Sequence, residues 1–242
     1  VARRLNYQPN AAARILRSGK SRVIGAVLSD ISNVFYGEIA KQLEEKAFRK
    51  GYTMLFGSTD ECAEKLDRVV RSFIDKGVEG FIVVPCEGSE GTLRHIRNLN
   101  IPLVIMDRKD VDVAVPKVVL DNRAAIKKAV EILAGKGLRK IEMLSYTMRV
   151  SSISDREAGF RDRMLELGVC PDDIRIHRIP FEEVSDATEQ MVPGLIARGV
   201  EGLVFATNSL AIAAIKKLFS MGIRMQQDIH LVGFDNSDVY DM

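Results

Sequence analysis

Lys76-Gly77-Val78-Glu79-Gly80-Phe81-Ile82-Val83-Val84 recurs at Arg198–Ala206 as Arg-Gly-Val-Glu-Gly-Leu-Val-Phe-Ala. Each copy holds a helix end, a glycine stop and a strand whose residues are all apolar. Continuous apolarity suits a strand covered by helices on both faces, the setting of a parallel sheet. Two copies imply two related α/β halves, with the change of half near Leu120–Asn122.

Working outward, the same grammar repeats along the chain. Strands are predicted at Val23–Leu28, Thr53–Gly57, Gly80–Val84, Leu103–Met106, Lys117–Leu120, Lys140–Leu144, Ile174–Ile179, Gly202–Ala206 and His230–Gly233. Apolar residues at helical spacing predict helices over Gly37–Lys50, Ala63–Lys76, Asn122–Lys136, Ser154–Leu167, Ser185–Arg198 and Asn208–Met221. Asn122 and Ser154 are the expected N-caps; Gly51, Gly77, Gly137, Gly168, Gly199 and Gly222 are the expected left-handed stops. The fold class is therefore α/β, with two doubly wound Rossmann-like lobes. Ligand space is expected where the carboxyl ends of their strands face each other.

The charge is unevenly distributed. Val1 to Arg22 carries Arg3, Arg4, Arg14, Arg17, Lys20 and Arg22 with no acidic residue, and the overall charge of +2 conceals this. A basic leader on a mixed-charge body suits a chain that touches nucleic acid at one end. Pro9 and Asn10 set up a short helix over Ala11–Arg17, too short to be stable alone in water. Arg14 and Arg17 can reach phosphates, and Leu16 can act as a wedge in a minor groove. The plain alternative is a frayed basic tail. Cys62, Cys86 and Cys170 form no motif and read as reduced thiols. No apolar run has the length of a bilayer span, and no apolar signal segment is visible.

Leu5-Asn6-Tyr7-x-Pro9-Asn10-x-x-Ala13-Arg14-x-Leu16-x-x-x-Lys20-Ser21, then Ile24-Gly25, Asp30-Ile31-Ser32-Asn33-x-Phe35-Tyr36 and Val232-Gly233-Phe234-Asp235-Asn236, closely resembles the lactose-repressor (LacI/GalR) family of bacterial transcription regulators. The resemblance runs over essentially the whole chain. It implies a periplasmic-binding-protein-like (type I) body preceded by a hinge helix, the end of a DNA-binding headpiece and hinge being 1–22, the first lobe 23–121 and the second 122–242. It also implies a fragment, with a helix-turn-helix before Val1 and a further strand and helix after Met242. The hinge residues for operator DNA would be Tyr7, Asn10, Ala13, Arg14, Leu16 and Arg17. The family further implies a homodimer and a cytoplasmic, nucleoid-associated location.

Effector groups are expected in loops after the strands. Asn33 can bond a hydroxyl, and Phe35 and Tyr36 can offer an aromatic face or simply start a helix and pack beneath it. Asp107 beside Arg108 supplies acceptors and forked donors to neighbouring hydroxyls, a pairing that lysine would not reproduce; a surface ion pair is the alternative. The resemblance adds Arg156 as an effector-contacting arginine, Phe181 as a ring-packing aromatic and Asp235 as an acid that holds a sugar hydroxyl. Asp235 as a turn cap and Phe181 as core are the other readings. Asn208 stands where a strand turns into a helix. Ser209 departs from the family's usual acidic residue and weakens transfer of detailed contacts.

The leading expectation is a ligand-switched transcription regulator sensing a sugar or sugar derivative, with a purine or other metabolite also open. A periplasmic sugar receptor of the same fold is the alternative. An enzyme is disfavoured: His95, His177 and His230 fit no triad or metal spacing, and no phosphate-binding glycine fingerprint is present, so no cofactor or metal is expected.

Overall fold

The computed structural model describes residues 19–235, so the expectations on Tyr7, Asn10, Ala13, Arg14, Leu16 and Arg17 lie outside the described residues. The chain divides into two compact units. The first takes the described residues up to Ser32, then Tyr36–Met106 and Val111–Lys117. The second takes Asn33–Phe35, Asp107–Asp110 and the described residues from Val118 onward.

The first sheet contains β1 (Val23–Leu28), β2 (Thr53–Ser58), β3 (Gly80–Val83), β4 (Leu103–Met106) and β5 (Lys117–Val118), in the order β2-β1-β3-β4-β5. Pairing of β1 with β2 and β3, and of β3 with β4, is parallel. Helices α1 (Val34–Arg49), α2 (Ala63–Asp75) and α3 (Glu90–Asn98) belong to this half. Leu66, Val70 and Phe73 of α2 and Leu93 and Ile96 of α3 pack with Val27, Phe81, Val83 and Ile105 in one core.

The second sheet contains β6 (Ile141–Tyr146), β7 (Ile176–Ile179), β8 (Gly202–Phe205) and β9 (His230–Val232), ordered β7-β6-β8-β9 and parallel throughout. Its helices are α4 (Asn122–Gly135), α5 (Ser151–Glu166), α6 (Val184–Ala197) and α7 (Asn208–Ser220). All six residues of β6 are buried, as a strand flanked on both sides and covered on both faces must be. Beside β9, Phe205, Ile215, Phe219 and Leu231 line an apolar groove of about 1020 Å³.

Both sheets share one winding. The first strand of each half sits between the second and third, so strand order reverses there and ligands are favoured beyond the carboxyl ends. All six glycines expected to end helices or turns adopt positive φ, from 70° at Gly199 to 86° at Gly137.

Helix α1 starts at Val34 rather than Gly37 and β7 at Ile176 rather than Ile174, and four further details differ from the sequence expectations. Helix α4 is capped by Asp121, whose side chain accepts from Ala124 N at 3.0 Å; Asn122 is the first helical residue instead. Helix α5 starts at Ser151, and Ser154 N already donates to Val150 O, so Ser154 is inside the helix. Strand β5 stops at Val118 because Leu120 O turns to accept from Asn122 N. Helix α3 was not anticipated, being nine residues long with Gly91 near its start.

Helices α4 and α5 pack closely. A Cβ on Gly159 would lie 2.4 Å from Arg123 O, so only glycine permits this approach.

Candidate functional site

Within the second unit, the segments beyond β1, β4, β6, β8 and β9 bring a polar cluster together. Arg156, on the second turn of α5, is 5 % exposed. Its Nε donates to Asn122 Oδ1 at 2.7 Å and its Nη1 to Ala206 O at 2.6 Å. Its guanidinium carbon stands 3.5 Å from the centroid of the Phe234 ring. A buried guanidinium needs partners for its N–H groups; an amide and a backbone carbonyl take two of them here, while the flat face rests on an aromatic ring.

Asp107 directly follows β4 and Asp235 comes shortly after β9, the fourth strand of each half in chain order. Both adopt left-handed backbone, with φ of 69° and 64°. Aspartate tolerates that region better than most residues, and such strain concentrates at ligand-binding positions. Burial pushes the Asp235 carboxyl above its ordinary value; Arg156 opposes the shift and the Asp107 carboxylate adds to it. Arg108, 4 % exposed, has its Nε 3.7 Å from the Asp107 carboxylate.

Asn33 and Asn208 form a reciprocal amide pair: Asn33 Nδ2 donates to Asn208 Oδ1 at 3.3 Å and Asn208 Nδ2 donates to Asn33 Oδ1 at 3.1 Å. Asn33 Oδ1 also accepts from Phe35 N at 3.0 Å, which fixes the loop leading into α1. Asn208 is buried at the first turn of α7. At the border of the cluster, Lys109 N donates to Ser151 Oγ at 2.8 Å, and its ammonium pairs with Asp155.

The aromatic candidates divide. Phe181 packs edge-to-face on Tyr146 with ring centroids 5.7 Å apart, and Thr207 Oγ1 donates to Tyr146 Oη at 3.0 Å. Phe35 is half-buried near the start of α1, whereas Tyr36 is buried in that helix and falls in the first unit. The sequence reading missed three participants. Phe234 stands inside a motif already quoted, Asn122 was read only as a cap, and Tyr146 gave no signal beyond strand character.

The histidines sit apart from this cluster. His177 Nε2 is 2.6 Å from the buried Glu142 carboxylate near the start of β6, and Arg198 Nη2 is 3.2 Å from the same oxygen. That arrangement compensates a buried charge at the opposite end of the strand from the cluster. Among the described residues no group of three or more His, Cys, Asp or Glu side chains is arranged to hold a metal ion, and no helix is long and apolar enough to cross a membrane.

Two parallel α/β lobes wound in this way define the type I periplasmic-binding-protein-like class. The model for "periplasmic binding proteins and sugar binding domain of LacI family" matches residues 21–180, and one for a periplasmic binding protein-like domain matches 130–242. The ribose operon repressor of Halalkalibacterium halodurans is 31% identical over 240 residues, covering 98% of this chain and 70% of that protein. The HTH-type transcriptional regulator DegA of Bacillus subtilis is 30% identical over 246 residues, covering 100% and 72%. Among solved structures, a periplasmic binding ribose operon repressor protein from Lactobacillus acidophilus superposes with a TM-score of 0.75 at 22% identity, covering 90% of this chain and 78% of that one, a likeness of fold. The chain belongs to the LacI family of ligand-responsive transcription regulators.

Proposed function

We propose that this chain carries the effector-sensing lobes of a transcriptional repressor and that its effector is an uncharged sugar held at the polar cluster of the second unit. The observation that carries this reading is the charge balance of a cluster of buried and half-buried groups. Asp107 and Asp235 supply acceptors, Arg108 and Arg156 supply donors, and the amides of Asn33 and Asn208 add N–H donors, their oxygens being taken up within the cluster. Two carboxylates beside two guanidiniums leave no excess charge for an anion, while hydroxyl groups can donate to the acids and accept from the arginines. Phe181, backed by the buried Tyr146, and Phe35 are the apolar surfaces on which a sugar ring would rest. Tyr36 takes a supporting role in this reading, since it is buried.

Occupancy at this cluster would govern the affinity of a homodimer for operator DNA, with Tyr7, Asn10, Ala13, Arg14, Leu16 and Arg17 as the hinge contacts. The protein would act in the cytoplasm and turn over no substrate. Relatives that are transcription regulators favour this over a transport receptor of the same fold. Calorimetric titration with D-ribose and a panel of neutral and acidic monosaccharides tests the reading. A neutral sugar should bind, and Asp107→Ala should weaken it by about tenfold or more. Binding confined to acidic sugars, or unchanged in the variant, overturns the assignment.

A further inference from the structure

Asn122 was expected to cap a helix, but Asp121 does that work. Asn122 is left 2 % exposed at the start of α4, and its side chain bonds elsewhere. Its Oδ1 accepts from Arg156 Nε at 2.7 Å, and its Nδ2 donates at 3.3 Å to Leu120 O. The second bond fixes which way the amide faces, so the oxygen is presented to the guanidinium. The hydrogen bond to Leu120 anchors the amide to the chain just before α4, while Arg156 rises from α5.

We infer that Asn122 is a positioning residue that sets the orientation of the Arg156 guanidinium over Phe234. An arginine side chain has four rotatable bonds and loses much entropy when fixed. One contact cannot define the guanidinium plane. Here Nε is tied to Asn122, Nη1 is tied to Ala206 O, and the flat face lies on Phe234; together these fix both the plane and its rotation within the plane. Removing the Nε partner takes away one of these in-plane tethers and loosens the orientation that they set together. It also leaves a buried N–H without its acceptor, which favours a rearranged side chain. The importance of this for ligand affinity rests on the proposed site, whereas the positioning itself does not.

Two measurements separate those claims. In the 15N-labelled protein, the Arg156 Nε–H resonance, identified by its loss in Arg156→Lys, should be protected from solvent exchange. It should lose that protection in Asn122→Leu and keep it in Asn122→Asp, which retains the acceptor oxygen. Backbone amide spectra establish that each variant is folded. Protection unchanged in Asn122→Leu overturns the positioning role, whatever the protein binds. In calorimetry with D-ribose, Asn122→Leu should weaken binding by about tenfold while Asn122→Asp stays within about threefold of the parent. Lost protection with unaltered D-ribose affinity shows that orientation does not serve binding and overturns that part. If the parent protein itself ignores D-ribose, that sugar is not its effector and the exchange measurement alone decides the role of Asn122.

Discussion

The guanidinium of Arg156 lies flat on Phe234, 3.5 Å from the ring centroid, so the residue preceding Asp235 forms part of the site as much as the aspartate does. Phe234 also packs against the core of the second unit, and a leucine would keep most of that apolar contact while removing the aromatic face. Phe234→Leu should therefore lose the cation–π contribution with a small packing change, lowering stability by about 1–2 kcal/mol. Urea unfolding followed by circular dichroism measures this. A midpoint identical to that of the parent would show that the ring contributes only bulk.

Gly159 controls how closely α5 approaches α4, and hence where Arg156 is delivered. The Arg123 carbonyl blocks any β-carbon at that position, and a backbone atom cannot move aside as a side chain can. Gly159→Ala should cost about 3 kcal/mol despite alanine's better helix propensity, because overpacking forces the two helices apart. Gly135, which has no neighbouring atom within 4 Å of a built Cβ, is the control: Gly135→Ala should leave stability within about 1 kcal/mol. Equal effects at the two positions would contradict the close-approach argument.

Strand existence was legible because a doubly covered strand is apolar along most of its length, as Val23–Leu28 and Gly202–Phe205 are throughout. The glycine stops were legible for an equally local reason, since a left-handed residue after a helix disfavours a side chain. The start of α5 was not. Ser151 opens that helix and receives the backbone N–H of Lys109, forty-two residues earlier, and no local pattern records such a contact. The site shows the same division. Asp107-Arg108 stood out as an unusual polar pair at the end of an apolar strand. The link from Asn122 to Arg156 joins residues thirty-four apart through a side chain that read equally well as a cap.

That ambiguity at the start of α4 gives a sharp mutational contrast. The Asp121 carboxylate accepts from Ala124 N and satisfies one of the first unpaired amides of the helix, so Asp121→Ala should cost about 1 kcal/mol. Ser154, exposed and already inside α5, caps nothing, and Ser154→Ala should change stability by less than about 0.5 kcal/mol. Denaturant midpoints for the pair check both. A larger loss at Ser154 than at Asp121 would restore the cap positions first expected from the sequence.

The raised Asp235 carboxyl makes stability and ligand affinity respond to pH in opposite directions. Burial is the main cause of the shift, so the unfolded chain releases this proton at a lower pH than the folded protein does. Between those two values the folded state binds more protons, and the contribution of Asp235 to stability falls as pH rises through the window. A sugar hydroxyl donating to Asp235 favours the ionised carboxylate. D-Ribose affinity should therefore climb as pH rises from the ordinary aspartate range through the raised value, with proton release on binding, and then level off. Several surface acids have lowered values, Asp228 at about 2 beside Arg224 among them, and these lose stability as pH falls. The measured quantity is accordingly the difference between parent and Asp235→Asn at each pH. Urea midpoints should show the parent losing ground to Asp235→Asn as pH rises through the window. Calorimetry should show the affinity slope only in the parent; a slope of equal size in Asp235→Asn would assign the titration to another group.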